Sequence, residues 1–245
     1  MSGKGLIHIG TSGWHYDHWR GPFYPENLTH AEFLRFYQQT FHTVEINNSF
    51  YRLPSEKALT DWREAVPAGF IFAVKGSRFI THMKKLQDPE KSIAPIMARV
   101  PLLGERLGPI LFQLPPRWHF NGERLRNFLV ALPRDYRYAL ELRDPSWLNQ
   151  EACGLLREYG AAFCIYELAG RVSPREVTAD FVYIRLHGPG GAYQGRYDLQ
   201  TLAGWTEDIS AWAAQGMAVF CYFDNDEAGY AALNALELQE MLGVR

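Results

Sequence analysis

Phe181-Val-Tyr-Ile-Arg-Leu-His187 reads as one buried strand with two unlike faces. Val182, Ile184 and Leu186 make one face; Tyr183, Arg185 and His187 alternate with them on the other. In a strand of period two these sets point to opposite sides. An apolar side packed on helices and a second side turned to a shared interior are what the wall of a closed barrel requires. Seven further runs have the same character: Leu6–Thr11, Thr43–Asn47, Phe70–Lys75, Pro109–Leu114, Tyr138–Leu142, Ala162–Tyr166 and Ala218–Phe223. Each is near-continuously apolar, as strands covered on both faces are.

Helical signals fill the intervals. Thr29-His-Ala-Glu32 is a capping box ahead of Phe33, Leu34, Tyr37 and Phe41. Ser55, Asn121 and Asn149 stand where N-caps are needed, and Asp88-Pro89 reads as a cap followed by Pro at the first helical position. Leu199, Leu202, Trp205, Ile209 and Trp212 form another stripe, and Tyr230, Leu233 and Leu236 begin the last. Eight strands alternating with helices over 245 residues is the arithmetic of an α/β (β/α)8 TIM-like barrel, here a single domain over 1–245. The interval between the sixth and seventh strands is too short for a full helix, so that crossover is short or irregular. A doubly wound sheet is the alternative, but no G-x-G-x-x-G follows the first strand.

Turning the more apolar set of each strand outward sends a polar set inward. It comprises Glu45 and Asn47, Lys75, Gln113, Glu141 and Arg143, Tyr166, then Arg185 and His187 with Tyr183, and Tyr222 and Asp224. Ser12 is the inward residue of the first strand. These side chains sit toward the C-terminal strand ends, where barrel active sites are built. Three acids (Glu45, Glu141, Asp224) and three bases (Lys75, Arg143, Arg185) converging on an interior are costly unless paired or used. Lys75, Arg143 and Arg185 fit an anionic substrate group, phosphate or carboxylate. Glu45, Glu141, His187 and Asp224 are the acid–base candidates. Trp14, Asn47, Gln113 and Tyr222 complete the expected substrate-binding set. No metal ligand or cofactor is assigned, because the bases already neutralise the acids. A structural ion-pair network, a metal-dependent phosphodiesterase and a glycosidase-like Glu45/Glu141 pair are the alternatives.

Three loops carry further signals. His187–Tyr197 is glycine-rich and holds Arg196, which suits either a phosphate cradle or a flexible connection. Trp14–Tyr24 has five aromatics in 11 residues, which can stack on a ligand or roof the barrel. Arg78–Lys85 is locally basic, so a non-catalytic nucleic-acid or ligand-binding module is a rival reading. Cys164 reads as a buried, inert thiol and Trp147 as a rim or packing residue.

Twenty-five Lys+Arg against 27 Asp+Glu exclude a generally basic nucleic-acid binder and an acidic disordered chain. Three cysteines without C-x-x-C make no disulfide framework and suit a reducing cytoplasm. The absence of an apolar stretch of 18 residues or a leader-like start argues against a membrane partner or secretion.

Phe41-His-Thr-Val-Glu-Ile-Asn-Asn-Ser-Phe-Tyr-Arg-Leu-Pro54 resembles the hallmark of the YecE-like family, domain of unknown function 72. Gly10-Thr-Ser-Gly-Trp14, Gly69–Lys75 with Thr81-His82, Leu111–Pro116, Glu141-Leu-Arg143 with Ser146-Trp147, Arg185-Leu-His-Gly188 and Tyr222–Asp226 agree in order. The resemblance implies a TIM-barrel-like fold and no established catalytic residues. Two positions depart from it: Asp144 replaces a frequent His, and Asp224 a frequent Asn. Both add negative charge near the mouth.

Overall fold

In the computed structural model, which describes residues 3–244, the strands and helices alternate along the chain. The order is β1 (Ile7–Thr11), α1 (Phe33–Tyr37), β2 (Thr43–Ile46), α2 (Glu56–Ala65), β3 (Ile71–Lys75), α3 (Pro89–Met97), β4 (Leu107–Gln113) and α4 (Gly122–Ala131). There follow β5 (Tyr138–Glu141), α5 (Gln150–Tyr159), β6 (Ala162–Leu168), β7 (Arg171–Val172), β8 (Phe181–Leu186), α6 (Leu199–Ala214), β9 (Ala218–Phe223) and α7 (Tyr230–Leu242). Neighbours along the path β1-β9-β8-β6-β5-β4-β3-β2 are parallel, giving the eight-stranded, nearly closed TIM-like barrel that the apolar runs imply. Only β7 stands aside, antiparallel to β6.

The two ends of the sheet meet at one bridge, Ser12 to Glu45, where the Gly13 amide donates to the Glu45 carbonyl at 2.8 Å. Lower down, the Tyr37 hydroxyl on α1 takes the place of a ladder bond. It accepts from the Thr11 amide at 3.0 Å and donates to the Thr43 carbonyl at 3.0 Å. Gly10 permits this approach, since a Cβ there would lie 2.3 Å from the Thr43 carbonyl oxygen.

Strand parity follows the sequence. Val44, Ile46, Phe72, Val74, Val182 and Ile184 lie in the core between sheet and helices. Ala73, Leu111, Cys164, Tyr183, Phe220 and Tyr222 fill the barrel interior. Ser55, Asn121 and Asn149 cap their helices through Ala58, Arg124 and Ala152 amides. Asp88 holds the N-cap position ahead of Pro89, the first residue of α3, but its side chain makes no capping bond. It sits in the left-handed region (φ 47°) and its carboxylate pairs with Lys84 instead. The crossover from β6 to β8 contains no helix. The chain turns back as β7, and the Ser173 and Thr178 hydroxyls then accept from the Tyr166 and Phe163 amides of β6.

The three cysteines are free and buried. Among the described residues, no helix is long and apolar enough to cross a membrane.

Candidate functional site at the barrel mouth

Arg185 projects from β8 into the interior and is wholly buried. Its Nε donates to Glu45 Oε2 at 3.1 Å, and Nη2 to Glu45 Oε1 at 2.7 Å. Nη2 also reaches Asp224 Oδ2 at 2.9 Å and Ser12 Oγ at 3.0 Å, while Nη1 reaches Glu141 Oε2 at 2.8 Å. One guanidinium fork thus ties β8 to β2, β5 and the segments that follow β1 and β9. This saturation is what makes so many buried charges tolerable. Glu45 is equally occupied, accepting from Ser12, Tyr183 and Arg185.

Nearer the rim lies Arg143, whose side chain is 9% exposed. Its Nε donates to Glu141 Oε1 at 2.5 Å, Nη1 to the Tyr193 hydroxyl at 3.1 Å, and Nη2 lies 3.2 Å from His187 Nε2. The other His187 nitrogen, Nδ1, is 3.0 Å from Asp224 Oδ2, and Nε2 is 3.2 Å from Glu141 Oε1. Burial would raise Glu141, but the charges of Arg143 and Arg185, with His187, outweigh it and hold the carboxyl well below its ordinary range. Asp224 is likewise held down, burial being outweighed by Arg185 and His187, aided by Lys75.

The glycine-rich loop covers this cluster. Tyr193 lies edge-on over the His187 ring at 5.4 Å, is itself 40% exposed, and occupies the left-handed region at φ 67°. Gly188 (φ 111°) lets its amide meet the Tyr197 hydroxyl at 2.9 Å. Arg196 turns away and pairs with Glu237.

Lys75 ends β3 at 6% exposure. Its Nζ lies 4.5 Å over the Phe50 ring and makes no hydrogen bond or ion pair with the described residues. Burial lowers the amine to about 8, with Arg185 adding to the effect and Asp224, Glu45 and Glu141 opposing it. His82, on the one-turn π-helix Phe79–Met83, is depressed by burial and by the charges of Lys75, Arg143 and Arg78. The sequence singled out Thr81-His82 only as part of a motif.

The remaining expected residues separate. Trp14 and Asn47 line a hollow of about 320 Å³ beside the mouth, with Gly13, His15, Tyr16, Asn48 and Tyr51. Trp14 Nε1 and Asn47 Oδ1 are buried there without a hydrogen-bond partner among the described residues. Gln113 is inward, in register with Glu141. Tyr222 lies deeper, its hydroxyl 2.8 Å from Thr43 Oγ1 inside the wall. Trp19 and Tyr24 of the aromatic loop are buried packing residues. Asp226, noted in the sequence only as the end of the Tyr222–Asp226 motif, accepts from Trp19 Nε1 and lies 3.3 Å from His18. Burial raises its carboxyl to about 6 against the Trp19 and His18 contacts. Trp147 packs on Trp118 and donates to its carbonyl. Asp144 accepts from Ser146 on the rim, so the charge it adds is spent outside the mouth. Among the described residues, no group of three or more His, Cys, Asp or Glu side chains is placed to hold a metal ion.

A family model described as "Protein of unknown function DUF72" matches residues 8–245. The UPF0759 protein YunF of Bacillus subtilis (strain 168) is 25% identical over 272 residues, covering 98% of this chain and 95% of that protein. A DUF72 family protein from Thermotoga maritima MSB8 has a similar structure, with a TM-score of 0.86, 29% identity, and coverage of 97% of this chain and 99% of that one. One from Enterococcus faecalis V583 shares the fold at a TM-score of 0.77 and 20% identity, covering 98% and 99% of the two chains.

Proposed function

On the premise that the chain belongs to DUF72, a family described as of unknown function, we propose an enzyme working by acid–base chemistry on an anion-bearing substrate. The anion is a phosphate or carboxylate, and it binds at the C-terminal mouth of the barrel. One observation carries the reading: Arg143 Nη2 lies 3.2 Å from His187 Nε2, which sets a cation's outer edge beside an imidazole under Tyr193. Arg143 has hydrogens left over at both terminal nitrogens, whereas the Arg185 fork is consumed by carboxylates. Arg143 therefore holds the anion and Arg185 holds the site together.

His187 is the proton carrier. Its Nδ1 faces Asp224 at 3.0 Å, an orienting contact that fixes the ring. Glu141 steers Arg143, and Glu45 braces Arg185. Neither carboxylate is free to protonate a leaving group, which speaks against a glycosidase-like pair. Substrate enters when the Tyr193 loop swings off His187.

The test is thermal unfolding of the protein with sugar phosphates, keto acids, neutral sugars and oligonucleotides, with chelator present. A ligand at about 100 times its Kd stabilises by roughly 2.7 kcal/mol, a midpoint rise of about 5–10 °C for a chain of this size. The reading expects a rise with one small anionic class, lost in Arg143→Ala. A rise with neutral sugars alone, or with none of these compounds, overturns it.

A further inference from the structure

We infer that the Lys75 side-chain amine is a nucleophile that condenses with a carbonyl carbon of the substrate to form a Schiff base. This rests on the proposed anion-bearing substrate and adds that it is an aldehyde or ketone.

Three observations converge on Lys75. It stands at the C-terminal end of a barrel strand, 6% exposed, on the side where Glu141, Arg185 and Asp224 meet. Its Nζ has the Phe50 ring at 4.5 Å and, among the described residues, no carboxylate within ion-pair distance. The three carboxylates that could have neutralised it are bound to Arg185. A lysine buried only for structure would be expected to take one of them, because an unpaired buried ammonium is costly. An amine that spends part of its time neutral escapes that cost, and neutral amines attack carbonyls.

The groups facing Lys75 are Arg185, Asp224, Glu45 and Glu141 within the barrel and His82 on the π-helix after β3. Burial, with the charge of Arg185, brings the amine from 10.5 to about 8 against the opposing pull of Asp224, Glu45 and Glu141. At pH 7 this makes its neutral fraction about 300-fold larger than that of an ordinary lysine. In the reaction the ammonium first loses a proton to water. The nitrogen lone pair then forms the C–N bond, its two remaining protons pass to the carbonyl oxygen, and that oxygen leaves as water. The products are one imine and one water, with no oxidant or reductant consumed.

The experiment traps the imine. Intact protein is treated with glyoxylate or with acetaldehyde, each with cyanoborohydride, and labelling is quantified at each lysine by peptide mass spectrometry. Exposed Lys57, Lys85 and Lys91 are internal references for each aldehyde. Lys75 is expected to label about tenfold or more faster than these near pH 7.5, with a rate that rises through pH 8. Its preference for glyoxylate over acetaldehyde is expected to vanish in Arg143→Ala. If acetaldehyde labels Lys75 selectively but glyoxylate gains nothing, the nucleophile stands and the anion reading falls. If neither aldehyde labels Lys75 faster than the exposed lysines, the inference is overturned and Lys75 is a buried cation only.

Discussion

Arg185 Nη2 on β8 lies 2.7 Å from Glu45 Oε1 on β2, three strands away around the barrel wall. The pair spans the seam where β1 and β2 meet by a single bridge, so the central guanidinium also helps to close the barrel. Arg185→Met would leave Glu45, Glu141 and Asp224 buried without their common partner. We expect a loss of about 3–5 kcal/mol in urea unfolding. A loss under 1 kcal/mol would mean that the network is not what holds these strands.

Tyr37→Phe removes one hydroxyl from the same seam and strands the Thr11 amide and Thr43 carbonyl. The expected cost is about 1–3 kcal/mol. Hydrogen exchange at the Thr11 amide should accelerate beyond the global change. Gly10→Ala, which drives a Cβ to 2.3 Å from backbone, should cost more than Tyr37→Phe. Equal protection of Thr11 in Tyr37→Phe and the wild type would refute this closure.

The pH dependence of stability has two opposing parts. Glu141 and Asp224 have depressed carboxyls, so their contribution is complete above the ordinary range and is lost as pH falls through their folded values. His8, lowered by burial and by Arg137 and His42 from 6.5 to about 4, also makes stability rise with pH between those values. Asp226 acts the other way. Raised from 3.8 to about 6, it is protonated more readily in the folded state, so its contribution falls as pH rises across that interval. Asp226→Asn should therefore steepen the rise in stability between pH 4 and 6, by an amount of order 2 kcal/mol over the interval. An unchanged slope in urea titrations would show that Asp226 is not perturbed.

Tyr193 holds a positive φ over the His187 ring. Tyr193→Gly relieves that backbone strain and uncovers Arg143 and His187. The expected result is stability within about 1 kcal/mol of the wild type, with faster association of any anionic ligand found by thermal shift. Slower association would make Tyr193 part of the binding surface rather than its cover.

The barrel was legible because its strands carry period-two signals that survive without tertiary knowledge. Val182, Ile184 and Leu186 could only face helices if Tyr183, Arg185 and His187 faced inward, and they do. The irregular crossover after β6 was visible as a missing helical interval. What sequence could not supply was pairing. Lys75, Arg143 and Arg185 read as three equivalent cations, yet one is saturated by carboxylates, one is half engaged and one has none. Such differences depend on distances between strands far apart in the chain. Asp88 and Pro89 mark the start of α3 as read, but the Asp88 side chain makes no capping bond for a local reason: its backbone is left-handed, and its carboxylate pairs with Lys84. The Tyr222–Asp226 motif gave no sign of the Asp226 environment, because its perturbation comes from burial under an aromatic loop far earlier in the chain.

The most direct test of the anion-binding mouth is the anomalous difference map of a crystal soaked in tungstate, a heavy mimic of a phosphate group. The account predicts a peak about 3–4 Å from the Arg143 terminal nitrogens, on the His187 side, absent in Arg143→Ala. A map with its peak elsewhere, such as beside Arg137 at the opposite end of the barrel, or with no peak in the mouth, would contradict it.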